Sequence, residues 1–168
     1  LICGYGTVGS KLAKILENLD MDIYTVSRSN LSTYKNFSID ELERIVPEVN
    51  YIVNLLPLSH ETKHLFDSKL FNKMKNVNFI NLGRGQTVNE EDLLLAINNN
   101  NLNAAALDVF EKEPLSNDSK LLNNQKIILT PHIAGLDSKY WNRQLDLFKY
   151  NLSEYLKEKN KLFKNKIS

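Results

Sequence analysis

Six charged or titratable residues follow directly on apolar, strand-like segments: Arg28, Arg84, Asp108, Glu111, Glu113 and His132. His132 comes after Thr130-Pro131, and the proline ring restricts the backbone that presents it. Histidine suits proton donation to a carbonyl oxygen because its ordinary pKa lies near neutrality. A neighbouring carboxylate would orient the ring and favour its protonated form. Asp108, Glu111 and Glu113 are the candidates for that partner, and spacing alone does not choose among them. Arg84 offers a planar, permanently charged fork that matches a carboxylate or a polarised carbonyl. His60 and His64 lack such a placement and read as surface residues of a helix.

A different chemistry is written at the start of the chain. Leu1-Ile2-Cys3 reads as the end of a buried strand, Gly4-Tyr5-Gly6-Thr7-Val8-Gly9 follows, and an amphipathic stretch begins at once. Strand, G-x-G-x-x-G, then helix is the context of a dinucleotide-binding loop. Gly4 permits the tight turn, Gly6 lets the backbone approach a pyrophosphate, and Gly9 lets the helix pack closely on the sheet. The phosphates would sit on free N–H groups at the positive end of that helix. The end of the next strand selects the dinucleotide. NAD sites usually carry an acid about twenty residues past the glycines, where it holds the ribose 2′-hydroxyl. Here Ser27-Arg28-Ser29 stands there instead. A carboxylate would repel a 2′-phosphate, whereas an arginine between two hydroxyls would bind one. One charge-assisted hydrogen bond corresponds to about a ten- to a hundredfold preference, so NADP is expected over NAD.

The elements that hold these residues alternate. A helix runs from Val8 with its apolar face at Leu12, Ile15, Leu16 and Leu19, turned toward a sheet. Strands are predicted over 22–26, 51–56, 77–81, 103–107 and 126–129, and the one over 51–56 is expected to be buried on both faces. Residues 31–37 read as irregular, with room for a short edge strand. Ser38 caps a short helix to about Ile45, with Glu41 at the capping-box position and Pro47 ending it. Helical turns are expected over 61–74. Asn89 caps a helix to about Ile97, and a long helix spans about 138–159 with Trp141, Leu145, Phe148, Leu152 and Tyr155 on one stripe. No hairpin signal intervenes. This predicts an α/β fold, a doubly wound parallel sheet. Ligands bind such sheets beyond the carboxyl ends of the strands. The glycine loop, Ser27 to Ser29, Leu56 and Pro57, Gly83 and Arg84, Asp108 to Glu113 and His132 all fall on that edge.

Bulk properties narrow the classes. At 168 residues with 42% apolar and 24% charged residues, the chain is long enough for one domain with a substantial core. A formal charge of +1 gives no reason to expect nucleic acid or an anionic membrane surface as partner. No apolar run approaches a membrane span, no leader pattern is visible, and no metal-ligating set is expected. The single cysteine, Cys3, is expected in a buried strand and cannot form an intrachain disulfide, which points to a reducing compartment and hence to the cytoplasm. The lysines from 157 to 166 read as a solvated, fraying end. Because the chain opens inside its first strand, it is expected to lack an upstream portion.

Five motifs carry a resemblance. Gly4-Tyr5-Gly6-Thr7-Val8-Gly9, Asn54-Leu55-Leu56-Pro57, Asn81-Leu82-Gly83-Arg84-Gly85, Leu107-Asp108-Val109-Phe110-Glu111-Lys112-Glu113-Pro114 and Thr130-Pro131-His132-Ile133-Ala134-Gly135 resemble, in order and spacing, the D-isomer-specific 2-hydroxyacid dehydrogenases. Asn-Leu-Leu-Pro together with Ser-Arg-Ser is similar to the NADPH-linked glyoxylate/hydroxypyruvate reductases. The resemblance implies a Rossmann-type dinucleotide-binding domain over 1–158 ending in the long helix, a basic tail over 159–168, and a separate substrate domain built from residues before the glycine loop. It implies a homodimer and a small 2-oxo or 2-hydroxy acid as substrate. It implies that Arg84 binds the substrate, that Glu113 partners His132, and that His132 is the acid/base. Asp108 would hold the nicotinamide carboxamide, Thr7 and Val8 would meet the pyrophosphate, and Leu82, Ala134 and Gly135 would border the nicotinamide. Ser27 departs from the family's usual second-strand acid, which bears on NAD rather than on the chemistry. Glu113 separates the chain from formate dehydrogenases, which carry glutamine as the histidine's partner. Two rival readings belong to other classes: a dehydrogenase-like regulator of the co-repressor type, and a cofactor-binding fragment without turnover.

Overall fold

The computed structural model describes residues 1–28, 32–157 and 164. Strands and α-helices follow one another as β1 (Ile2–Cys3), α1 (Thr7–Glu17), β2 (Tyr24–Val26), β3 (Lys35–Phe37), α2 (Leu42–Ile45), β4 (Tyr51–Asn54), α3 (Ser68–Phe71), β5 (Val77–Asn81), α4 (Glu90–Asn98), β6 (Leu102–Leu107), β7 (Ile127–Leu129) and α5 (Tyr140–Leu156). The strands form one sheet in the order β3-β2-β1-β4-β5-β6-β7, and every pair is parallel. The chain starts in the middle of the sheet and runs to one edge. It then crosses back to the far side of β1 and runs to the other edge, the doubly wound arrangement expected from the alternation. The point of reversal lies between β1 and β4, where such sheets bind ligands.

The chain forms two compact units, Leu1–His132 and Ile133–Ser168. The core of the first packs Phe66, Phe71 and Phe79 against aliphatic residues of both flanks of the sheet. The second is built around α5, where Asp137 accepts from Arg143. Trp141, Leu145, Phe148, Leu152 and Tyr155 of its predicted stripe are exposed.

Several elements differ from the expectations. Of the apolar face expected for α1, Leu12 and Leu16 are half-buried while Ile15, and Leu19 just past the helix, are exposed. Gly9 and Ala13 are its buried residues, while Val8, Ile15 and Leu19 are about 60% exposed. The cause is close approach: a Cβ on Gly9 would lie 2.1 Å from the Gly4 carbonyl oxygen, so only small residues fit that face. β2 starts at Tyr24 rather than Asp22. β4 stops at Asn54 rather than Leu56, because the Asn54 Oδ1 accepts the Leu56 N–H and turns the chain out of the sheet. It is also not buried on both faces, since Tyr51 is exposed. The Ser38 capping box is present, but it opens a 3₁₀ turn before α2, and Pro47 sits inside a second 3₁₀ turn after it. Over 61–74 only α3 is a helix, capped by Asp67. β5 and α4 follow the expected bounds closely, with Asn89 accepting the Asp92 N–H at the α4 cap. Among the described residues no helix is long and apolar enough to cross a membrane.

Candidate active site

The loop after β1 has the shape of a dinucleotide cradle. Gly4 has φ +105°, a conformation that side chains rarely adopt, and a Cβ there would lie 2.9 Å from the Leu55 carbonyl oxygen. Gly4 therefore both turns the chain and lets the β1 and β4 loops touch. Gly6 is different: a Cβ on it would meet nothing within 4 Å. It caps α1 in an extended conformation with no side-chain hydrogen bond, and the first turn holds no acid. Thr7 and Val8 are exposed there, so the positive end of α1 faces open space. Next to it lies a cavity of about 400 Å³, lined among others by Gly4, Gly6, Ser27, Arg28, Leu56 and Pro57. Residues predicted from three separate segments thus border one space. An open helix end flanked by a basic side chain fits the phosphates of a dinucleotide.

At the second-strand end, the Ser27 hydroxyl donates to Asn36 Oδ1 at 3.0 Å, and the Thr25 hydroxyl donates to the same oxygen at 2.9 Å. Asn36 on the edge strand β3 was not foreseen, since its contact is made across strands. Arg28 is exposed, and among the described residues no ion pair engages it. Ser29 lies outside the described residues.

On the other side of the sheet edge, His132 Nδ1 and Glu113 Oε2 are 2.7 Å apart. The choice left open by spacing is made by geometry. Asp108 is buried and accepts from the Thr130 hydroxyl at 2.5 Å, and Glu111 exchanges backbone–carboxylate hydrogen bonds with Glu90. The Phe110 N–H donates to Glu113 Oε1 and fixes the second carboxylate oxygen. Burial pushes the Glu113 carboxyl up. The hydrogen bonds from His132 and Phe110, with the charges of His132 and Arg84, outweigh it, so the group titrates below its ordinary value and is ionised at neutral pH. Half of the His132 side chain is exposed, and its backbone sits at φ +54°. That left-handed conformation costs a non-glycine residue about 1 kcal/mol or more, and such residues cluster at functional sites. Beside the pair opens a cavity of about 600 Å³ walled by Phe110, Leu115, Leu122 and Leu129.

Arg84 is exposed at the start of the turn Gly85–Thr87, with Nη1 donating to the Gly83 carbonyl at 2.7 Å. Leu82 beside it is 38% exposed, and Gly83 is pinned against Leu56, where a Cβ would meet the backbone oxygen at 2.6 Å. Ala134 and Gly135 belong to the second unit. His64 differs from its expected place on a helix. It lies in a turn at φ +49°, its N–H donates to the Gln86 carbonyl, and its Nε2 is 3.5 Å from Glu111 Oε1. Among the described residues no cluster of His, Cys, Asp and Glu could hold a metal ion.

The model of the D-isomer specific 2-hydroxyacid dehydrogenase NAD binding domain matches residues 1–134. A probable 2-ketogluconate reductase from Dictyostelium discoideum is 43% identical over 138 residues, which cover 79% of this chain and 41% of the relative. Glyoxylate/hydroxypyruvate reductase B of Escherichia coli (strain SMS-3-5 / SECEC) is 39% identical over 139 residues, 80% of this chain and 43% of the relative. Among solved structures, the NADPH-dependent glyoxylate/hydroxypyruvate reductase from Sinorhizobium meliloti, in complex with NADP and sulfate, superposes with a TM-score of 0.85 at 28% identity, covering 94% of this chain and 52% of that one. The chain thus spans about two fifths of the curated relatives it matches. The chain belongs to the D-isomer specific 2-hydroxyacid dehydrogenase family, whose NAD binding domain its residues 1–134 match.

Proposed function

We propose that the full-length protein transfers a hydride between NADP(H) and the C2 of a small 2-oxo or 2-hydroxy acid of the glyoxylate/hydroxypyruvate type. The observation that carries this reading is the 2.7 Å His132–Glu113 pair within the electrostatic reach of Arg84. Bound NADPH supplies the hydride that reduces the carbonyl carbon. Arg84 holds the substrate carboxylate and polarises its carbonyl. His132 uses Nδ1 to bind Glu113, which leaves Nε2 to give a proton to the oxygen that becomes the alcohol. Glu113 stays ionised, holds the ring in place and stabilises the imidazolium before that proton leaves. In the oxidation direction the same nitrogen takes the proton back.

In this reading Gly4, Gly6, Thr7, Val8 and Gly9 receive the pyrophosphate and Ser27 to Ser29 the 2′-phosphate. Leu56, Pro57, Leu82, Gly83 and Asp108 border the nucleotide. NADP is favoured by Arg28 and by the absence of an acid at Ser27. Residues 1–158 belong to the nucleotide-binding part, the basic tail expected over 159–168 lies, Lys164 apart, outside the described residues, and a substrate domain completes the cleft. A homodimer is supported by the exposed Ile15 of α1 and Leu19 just after it. The free, buried Cys3 suits a reducing cytoplasm. His132→Ala in the full-length protein is expected to lower kcat for glyoxylate or hydroxypyruvate reduction by about 10²–10⁴-fold, with nucleotide affinity retained. Near-normal turnover by that variant, measured by NADPH oxidation, overturns the assignment.

A further inference from the structure

Three polar side chains are buried at the carboxyl ends of the central strands, where apolar residues would pack as well. Asn54 ends β4, Asn81 ends β5, and Thr87 lies in the turn that follows Arg84; all are at most 1% exposed. Asn54 and Asn81 are register partners on neighbouring strands, and the sheet needs neither side chain for its ladder. Burying an amide is costly unless its hydrogen bonds are met. Here they are met by one another and by the backbone of Leu56, Gly83 and Arg84. Asn54 Nδ2 donates to Asn81 Oδ1 at 2.9 Å and to Thr87 Oγ1 at 2.7 Å. Thr87 Oγ1 in turn donates to the Arg84 carbonyl at 2.6 Å, and Asn81 Nδ2 reaches the same oxygen at 3.4 Å. The Thr87 N–H donates to it as well, at 3.1 Å. Asn81 Oδ1 also accepts the Gly83 N–H at 3.1 Å. The peptide groups on both sides of Gly83-Arg84 are therefore held from below. Asn54 also ties this cluster to the nucleotide side, because its Oδ1 accepts from Leu56, which lines the cavity beside the glycine loop.

We propose that Asn54, Asn81 and Thr87 are positioning residues that clamp the Arg84 backbone so that its guanidinium meets the substrate in a fixed place. The inference rests on the reading of Arg84 as the substrate-binding group. The polarity of the cluster runs one way, from the Asn54 amide through the Thr87 hydroxyl to the Arg84 carbonyl. Thr87→Val keeps the shape, deletes the relay, and leaves an Asn54 N–H without an acceptor. Thr87→Ser keeps the hydroxyl and loses only a methyl group.

Steady-state reduction of glyoxylate and hydroxypyruvate by the full-length protein separates positioning from general structure. Thr87→Val is expected to raise KM for the oxo acid about tenfold or more and to lower kcat, with KM for NADPH within twofold of wild type. Thr87→Ser is expected to restore the oxo-acid KM. An unchanged oxo-acid KM in Thr87→Val, or an equal rise in both KM values, overturns the inference. Amide hydrogen exchange on the wild type gives a second reading that needs neither a variant nor turnover. The Gly83 amide is expected to exchange as slowly as the amides of β5. Exchange at the rate of an open loop means that the clamp does not exist. A wild-type protein that reduces no 2-oxo acid overturns the proposed function and the substrate half of this inference with it, while a slow Gly83 amide leaves the clamp itself standing.

Discussion

Arg28 places one guanidinium next to Ser27, the position at which a ribose-binding acid would repel a 2′-phosphate. The Ser27 proton is engaged by Asn36, so the positive charge at this strand end is the arginine's. Its exposure means that water and salt screen it in the free protein. A 2′-phosphate dianion held at this strand end would still gain a charge-assisted bond worth about 1.5–3 kcal/mol. Arg28→Ala in the full-length protein is therefore expected to weaken NADPH binding about ten- to a hundredfold and to leave NADH binding within about twofold. Fluorescence titration with both nucleotides checks this, and equal affinity for the two in the wild type refutes the NADP preference outright. At this scale the sequence was informative about identity and weak about partnership. His132, Arg84 and the acids were visible because each follows an apolar run. That Glu113 and not Asp108 or Glu111 faces His132 depends on distances between separate loops. Asn54, Asn81 and Thr87 went unnoticed because polar residues inside apolar runs look like ordinary variation until strand register pairs them. An asparagine in each of two successive predicted strands, Asn54 in 51–56 and Asn81 at the end of 77–81, was the available signal.

Among the elements, the strand–loop–helix at the start of the chain separates two kinds of glycine. At Gly9 a Cβ would sit 2.1 Å from a backbone oxygen, so α1 could not stay on the sheet. At Gly6 a Cβ would touch no protein atom within 4 Å. One glycine is required by the fold, and the space at the other is left for the pyrophosphate of the proposed nucleotide. Gly9→Ala is expected to cost several kcal/mol, about the range of severe overpacking and backbone displacement, and to lower the melting temperature sharply. Gly6→Ala is expected to cost no more than about 1 kcal/mol, the range of losing a preferred helix cap. It should nonetheless weaken nucleotide binding more than tenfold, because its methyl group occupies the space left for the pyrophosphate. Thermal melts with and without NADPH measure both effects on each variant, and a Gly6→Ala protein that binds nucleotide normally refutes the ligand role of that space. The same distinction explains which elements were legible. β5 and α4 are specified locally, by a short apolar run and by an asparagine cap with acids in the first turn. The packing face of α1 was legible only in part: periodicity marked Leu12 and Leu16, which are half-buried, but close approach centres the face on Gly9 and Ala13 and leaves Ile15 and Leu19 exposed. Of the helical turns expected over 61–74, those closed by Lys63 on Ser59 and Leu65 on Thr62 form, but no helix develops before α3 because His64 and Phe66 pair with 86–89, where Phe66 bridges Val88. Such long-range pairing leaves no local pattern.

On the scale of the whole molecule, the two compact units differ in what they bury. Among the described residues, the hydrophobic core cluster draws entirely on the first unit, from Leu1 to Leu121, with Leu129 packed against it. A unit of this length is large enough to bury a stable core without a partner. The chain cut after Gly135 is therefore expected to fold cooperatively. Cys3 offers a direct probe. It is fully buried, and burial pushes its thiol up to about 12. At pH 8 only about one thiol in ten thousand would then be ionised in the folded state, and only the thiolate reacts. Labelling must proceed through opening of the central strand β1, which approaches the global unfolding event. In both the full 168-residue chain and the truncated one, labelling of Cys3 by a soluble disulfide reagent is expected to be at least about a thousandfold slower than in denaturant. The two native rates should agree within about threefold. A truncated chain that labels as fast as the denatured one would show that the α5 unit supports the sheet. In that case the core seen within Leu1–His132 would be insufficient by itself.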